Sequence, residues 1–350
     1  MSVRYTPVGW NRNKAIYDAV VVASVAAYLL LYLQVAPLFQ DLTRPLDGPT
    51  LRIQAFGTAA FLMLSMILAI GPLARLDRRF LPLLYNRRHF GVLTFVVALT
   101  HASQVLGWYF AYGVADPYVA LLGANTSYGQ VRGFPFELFG ILALLILAVL
   151  AATSHDFWLR FLTLPLWKAM HMGVYAAYAA IVLHVVLGRL QTGGDPLLAV
   201  VVGLSVLGLC LLHVLAGRQE RGKDLTAASL IDPPWVSAGP VDSIAEGRAV
   251  VVPLAGDERV AVFRHKGRLS AVSNLCAHQN GPLGEGKVLG GCITCPWHGF
   301  TYRLADGCAP PPYTEKLATY RLKLDGRTVL LDPRANPPGT YVEPTPIPEA

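Results

Sequence analysis

Four side chains near the C-terminus have the types and spacing to hold iron. Cys276 and His278 stand in Cys276-Ala277-His278, and Cys295 and His298 stand in Cys295-Pro296-Trp297-His298. Both pairs lie in a stretch rich in Gly and Pro. Two thiolates can hold one iron and two imidazoles a second, with two sulfides bridging them. Such a centre carries one electron at a time. A structural zinc site is the alternative, because Cys292-Ile293-Thr294-Cys295 is also a C-x-x-C pair. Zinc does not explain the Cys-x-His on the first loop.

A second set of candidates lies upstream, in apolar sequence. His101 sits in Leu99-Thr100-His101-Ala102-Ser103, His171 in Trp167-Lys168-Ala169-Met170-His171, and His184 in Leu183-His184-Val185. Ionisable residues at membrane depth are uncommon and tend to be functional. Neutral imidazoles from two facing helices can ligate one haem iron from both sides. For any one histidine, the plain alternative is a polar residue hydrogen-bonded to a neighbouring helix. Three of them on two spans weaken that alternative. His171 and His184 are about 20 Å apart along a helix, so they cannot share an iron. His101 and His184 form the first ligand pair. His171 then needs another partner, with His89 as first candidate and His213 as a further one. His155 and His265 read as surface residues, and Cys210 as a packing residue.

The elements that must position these groups fall into two halves. The chain is 54% hydrophobic and 15% charged, with a mean hydropathy of +0.45. Residues 1–216 are very apolar and the remainder ordinary. Crossing a bilayer takes about 20 apolar residues. Six runs qualify, at roughly 15–37, 51–73, 91–113, 135–153, 170–188 and 196–216. No short apolar segment with a small-residue cleavage site precedes them, which argues against a removable signal peptide. With the N-terminus inside, the inner segments hold thirteen Lys and Arg and the outer loops four. That bias places the N-terminus and the C-terminal domain in the cytoplasm, as in a bacterial inner membrane. The formal charge of +7 follows from this topology. The basic residues flank spans and no aromatic-basic groove accompanies them, so a nucleic-acid surface is not expected. The Arg75–Arg88 cluster also suits an anionic lipid or a partner.

Residues 217–232 read as a polar linker. Beyond it, Ala249–Val252, Val260–Phe263 and Leu269–Val272 read as strands, with Lys266-Gly267 as a hairpin turn. The expected fold is an all-α six-helix transmembrane bundle, then a small all-β domain over 233–333. A flexible Pro-rich tail is expected over 334–350.

The run C-A-H-Q-N-G-P-L, then C-P-W-H-G-F-T-Y, then Gly307 and Pro310-Pro311-Pro312, resembles the Rieske [2Fe–2S] domain family. The resemblance implies that Cys276, His278, Cys295 and His298 bind the cluster and that the Pro run covers it. It also implies Tyr302 as a hydrogen-bond donor to the cluster. High-potential members carry an extra disulfide and a Ser hydroxyl. The equivalent positions here are Gly281, Trp297 and Phe300. Fewer donors stabilise the reduced cluster less. The expected potential is therefore in the lower half of the Rieske range, which runs from about −150 to +300 mV. Cys292 and Cys308 are left as packing residues or free thiols, which suits a reducing compartment.

Gly71-Pro72-Leu73, Arg87-Arg88-His89-Phe90-Gly91, His101, Thr153-Ser154, Trp167-Lys168, His171 and His184 resemble the ferric-reductase-like transmembrane family. Within it, the pattern is nearest to the haem-binding membrane subunit of the bacterial methionine sulfoxide reductase system. The resemblance covers roughly residues 50–215 and implies that His101, His171 and His184 bind b-type haem. One haem is expected, with a second if His171 finds its partner.

The expectation is an oxidoreductase component, ferric-reductase-like or quinone-linked. It would pass single electrons between a cytoplasmic Rieske cluster and haem in the bilayer, to or from a quinone, a metal ion or a partner protein. No G-x-G-x-x-G follows a strand, so a separate reductase or ferredoxin is expected as donor. A redox sensor or scaffold, and an electron-feeding component of an oxygenase system, are the alternatives. A terminal oxygenase needs two His and a carboxylate in a further domain, for which the residues after 333 leave no room.

Overall fold

The computed structural model describes residues 12–39, 47–84, 86–155, 158, 164–191, 195–228, 235–254, 258–278, 281–297 and 299–348. These form two compact units. One is built from residues within 10–69 and 88–211, the other from residues within 70–87 and 212–350.

Helices make the first unit. They are α1 Arg12–Val35, α2 Gly48–Leu76, α3 Arg87–Tyr112, α4 Pro117–Gly123, α5 Glu137–Ala152, α6 Leu164–His171, α7 Gly173–Val185 and α8 Pro196–Ala228. A π-helical turn, Val186–Leu190, continues α7. Among the described residues, five helical segments are long and apolar enough to cross a membrane; α5, with 16 residues, is shorter. At 1.5 Å per residue α5 is about 24 Å long. The expected six helices are therefore joined by two short ones, Pro117–Gly123 and Leu164–His171. Asp116 starts α4 by accepting from the backbone N–H groups of Tyr118 and Val119.

Small residues let these helices close on one another. Ala143 of α5 and Ala177 and Ala180 of α7 are buried with Phe61, Leu64 and Leu68 of α2. Without side-chain bulk, backbones approach and van der Waals contact supplies the association that lipid cannot. Tyr178 stacks on Phe61 at 5.8 Å, and its hydroxyl lies 3.2 Å from that of Ser65. The opposite faces are apolar and exposed, as at Leu30, Leu31, Leu204 and Leu207. Such surfaces belong against acyl chains.

Strands dominate the second unit. They are β1 Val236–Pro240, β2 Ala249–Pro253, β3 Arg259–His265, β4 Arg268–Ser273, β5 Lys287–Leu289, β6 Cys292–Thr294, β7 Thr301–Arg303, β8 Thr319–Tyr320, β9 Leu322–Asp325, β10 Thr328–Leu331 and β11 Thr345–Pro346. One sheet runs β1-β10-β9, one β11-β4-β3-β2 with β8 also on β4, and one β5-β6-β7. Lys266 and Gly267 both have positive φ, as a two-residue hairpin turn between β3 and β4 demands. Val260, Val262, Leu269, Tyr320 and Leu331 fill one core, and Phe263, Leu283, Ile293 and Tyr302 a second around the cysteines.

Two expectations change. Helix α8 runs on to Ala228, through the segment expected as linker. Arg218, Gln219, Glu220, Arg221 and Lys223 are good helix formers, so the polar stretch continues the helix rather than ending it. The tail expected to be flexible lies along the sheets instead. Asn336, Gly339 and Val342 donate backbone N–H bonds to Thr319, Leu317 and Ala305, and β11 pairs with β4. Proline forbids helix there but tolerates an edge strand, and Ile347 anchors the segment in the first core.

Candidate functional site

Two tight loops present the C-terminal cysteines. The first leaves β4; Cys276 donates its N–H to Gly281 at 2.9 Å, and Asn274 Oδ1 accepts from Gly284 at 2.7 Å. The second joins β6 to β7; Cys295 donates to Phe300 at 2.8 Å and accepts from Gly299 at 2.9 Å. Both cysteines are fully buried. A Cβ at Gly281 would stand 2.7 Å from Cys295 Sγ and 3.2 Å from the Trp297 ring. The two loops therefore meet at Gly281, with the Trp297 ring beside Cys295. His298 lies outside the described residues.

Tyr302 of β7 ties the loops together. Its hydroxyl is 3.3 Å from Cys276 Sγ and accepts the backbone N–H of His278 at 3.1 Å. With that N–H donating to its oxygen, the phenol has its own proton to offer to a thiolate sulfur at this position. Burial, and then the adjacent Cys276, push the phenol well above its ordinary range. The donor thus persists at any ordinary pH. Among the described residues no three Cys, His, Asp or Glu side chains gather as one metal ion requires. A binuclear cluster instead divides its ligands between two irons. Buried thiols, an imidazole and an O–H beside a sulfur fit such a cluster.

Phe300 replaces the Ser of high-potential members with an aromatic wall. Its ring stacks on His278 at 4.7 Å and 10°, and Tyr313 of the Pro-rich loop packs on it at 4.7 Å. The stack fixes the orientation of the imidazole, which is half-buried. Two redox titrations follow from this geometry. A hydrogen bond contributes about 1 kcal/mol net, which is about 40 mV for a one-electron couple. Tyr302→Phe will lower the cluster potential by about that amount, because the lost O–H favoured the electron-rich state. Phe300→Ser will raise it similarly if the new hydroxyl reaches a sulfur. Thermal unfolding of that variant will show a loss of about 3–5 kcal/mol, as for other large buried rings.

The helical unit holds a second constellation. His101 of α3 and His184 of α7 face each other, ring centres 6.5 Å apart and planes at 82°. His101 Nδ1 donates to the carbonyl of Ile53 at 2.9 Å, and His184 Nδ1 to that of Phe136 at 3.0 Å. A carbonyl only accepts, so the proton of each neutral ring is on Nδ1 and the lone pair on Nε2. Glycine makes the room. A Cβ at Gly57 or Gly140 would lie 2.9 Å or 2.8 Å from a carbon of His101 or His184. The π-helical turn places Gly188 under the Phe136 ring, where a Cβ would be 2.7 Å away. Such turns often mark functional sites.

Comparison with known proteins matches both halves. A family profile for the Rieske [2Fe-2S] domain covers residues 234–321, and one for the ferric reductase like transmembrane component covers 56–182. The ferredoxin component of a naphthalene 1,2-dioxygenase system from Pseudomonas aeruginosa is 32% identical over 101 residues, 28% of this chain and 94% of that protein. The chain belongs to the Rieske family, fused to a ferric reductase like transmembrane component. The ferredoxin subunit of an anthranilate 1,2-dioxygenase from Burkholderia cepacia is 34% identical over 107 residues, 29% of this chain and 94% of that protein. Among solved structures, a ferredoxin of Sphingomonas yanoikuyae B1 matches at 29% identity and a TM-score of 0.27, covering 29% of this chain and 99% of that one. These relatives are ferredoxin components of dioxygenase systems, and the two matched domains support an electron-transfer role for a chain whose described helices include five long and apolar enough to cross a membrane.

The remaining sequence candidates take other places in the Rieske fusion. His89 lies with Nδ1 2.7 Å from Asp18 Oδ2 of α1. His171 stacks on Trp167 at 3.8 Å, and its Nδ1 donates to the carbonyl of that residue at 3.1 Å. Cys210 is exposed on α8 rather than packed. Cys292 and Cys308 are free thiols, and burial raises the pKa of Cys292. Sequence reading missed Phe136 and Ile53, because a backbone carbonyl leaves no mark on residue type. It also missed Phe300 as a ring that stacks on a candidate ligand.

Proposed function

We propose that the chain relays single electrons through a membrane, between a soluble donor that docks at its Rieske domain and an acceptor at the far end of its helices. The observation that carries this is the His101–His184 pair. A ligating imidazole nitrogen lies about 2.0–2.1 Å from its metal. Adding about 1.2 Å from nitrogen to ring centre on each side, two rings on one iron have centres about 6.4 Å apart. The 6.5 Å separation fits, and both Nδ1 atoms are already held by carbonyls, as metal-ligating histidines require. When bound, a b-type haem and a [2Fe–2S] cluster each accept and release one electron.

The chain's own residues fix where those groups sit. His101 and His184 would hold haem, and Cys276, His278, Cys295 and His298 the cluster. Tyr302 would stabilise charge on the cluster, and Phe300 and Tyr313 would exclude water from it. A one-electron centre cannot take a hydride, so a separate reductase or ferredoxin would supply electrons singly. A quinone or a partner protein would receive them. The excess of Lys and Arg on inner segments supports a cytoplasmic Rieske domain. His171, with His89 or His213, is the proposed place for any second haem.

Stopped-flow mixing of the purified chain with a pre-reduced Rieske-reactive ferredoxin tests the relay. The expected trace is loss of the oxidised cluster signal followed by growth of a ferrous b-haem band within milliseconds. Haem that stays ferric while the cluster is reduced would show that the two centres do not communicate.

A further inference from the structure

One polar atom in the helical unit has no explanation in the foregoing. Gln104 is on α3, three residues beyond His101, and its side-chain Oε1 is buried without a hydrogen-bond partner. Residues three apart share a helix face and stand about 4.5 Å apart along the axis. The amide therefore sits about one turn from His101 on the same broad face of α3. Leaving such a group unsatisfied costs about 1–3 kcal/mol. A missing partner at that spot removes the cost.

The two ends of the histidine gap differ. Toward the N-terminal end of α3 the neighbours are Val97 and Ala98, with Ala177 and Ala180 from α7. The hydroxyl of Thr94, further that way, is bound to the carbonyl of Phe90. Toward the C-terminal end stand the Gln104 amide and the buried Glu137 carboxyl, which accepts from Asn125 Nδ2 at 2.5 Å. A haem has the same asymmetry, with vinyl and methyl groups on most of its rim and two propionates on one edge. The amide oxygen and nitrogen exchange places by a half-turn of a soft torsion, which presents N–H donors in place of the oxygen.

We infer that Gln104 donates a hydrogen bond to a haem propionate, so that the propionate edge faces the C-terminal end of α3. This rests on the His101–His184 haem reading. Gln104 is a positioning residue here. It neither ligates iron nor touches a substrate, and it sets which way round the macrocycle lies. A charge-assisted bond to the carboxylate draws negative charge away from the iron, which favours the ferrous state.

Gln104→Met and Gln104→Glu, made in the full chain and purified in detergent, test this by resonance Raman spectroscopy and haem redox titration. Methionine removes the polar group at similar length; glutamate keeps the acceptor and removes the donors. Both variants are expected to retain the b-haem band and bis-histidine paramagnetic resonance signal, to shift the propionate bending mode, and to lower the haem midpoint. A glutamate variant that behaves like wild type overturns the inference and makes the oxygen an acceptor for another group, such as a quinol hydroxyl. An unchanged bending mode and midpoint in the methionine variant overturn it as well. A wild-type chain with no b-haem band sinks the haem reading itself, and this inference with it.

Discussion

Replacing His184 with Ala will abolish the b-haem absorption band of the purified chain while leaving the Rieske paramagnetic resonance signal in place. The ring is one of two imidazoles set 6.5 Å apart, and no other described histidine is offered to His101 at that spacing. Ala removes the ligand, while the Phe136 carbonyl that accepts from Nδ1 at 3.0 Å still accepts the backbone N–H of Phe139 at 3.1 Å. Loss of even a supporting hydrogen bond to a metal ligand costs about 10–100-fold in affinity, and loss of the ligand costs more. Haem content after purification is the measurement, by pyridine haemochrome assay. His171→Ala is the contrast. Its ring lies against Trp167, so the His101–His184 haem band will remain. Full haem content in the His184 variant would remove the pair from the pathway.

Cys295→Ser will leave the chain without a [2Fe–2S] cluster and without electron entry to haem from a reduced ferredoxin. Cys295 is fully buried, and its backbone is held at both ends by Phe300 and Gly299. A serine hydroxyl at neutral pH is neither an anion nor a soft ligand, and a thiolate is both. The loop cannot move to compensate, because a Cβ at Gly281 would already meet the sulfur at 2.7 Å. Iron and acid-labile sulfide should each fall from about two per chain to near zero. The haem band should persist, since its histidines belong to the helical unit. Ferredoxin-driven haem reduction should slow by orders of magnitude, while dithionite still reduces the haem. A retained cluster signal would take Cys295 out of the ligand set.

Much of this arrangement was legible in the residues, and the gaps have physical causes. Cys-x-His and Cys-x-x-His spacing marked the cluster loops because ligands must lie within one short turn of each other. Lys266-Gly267 marked a hairpin because that turn needs positive φ at both positions. His101 and His184 were paired from the sequence because helix rise forbids His171 and His184 from sharing an iron, and the two rings do face each other at 6.5 Å. The partners of His89 and His171 were not legible. Asp18 is 71 residues from His89, and nothing in either segment announces which helices meet. The two short helices escaped notice because α4 and α6, at seven and eight residues, are too brief for a periodic signal. The end of α8 was misplaced because polarity was read as loop, whereas helix propensity depends on the backbone.

The carbonyls of Ile53 and Phe136 have one more effect. They assign the hydrogen of each facing imidazole before any porphyrin arrives, so the apoprotein already shows iron two bare lone pairs. On the proposed haem reading, uptake would need no tautomer exchange and would expel no proton from either neutral ring, unlike thiol ligands, which must ionise first. Haem loading into the empty bundle should accordingly leave the pH of a weakly buffered solution untouched by these two groups, and cluster assembly in the same chain should acidify it.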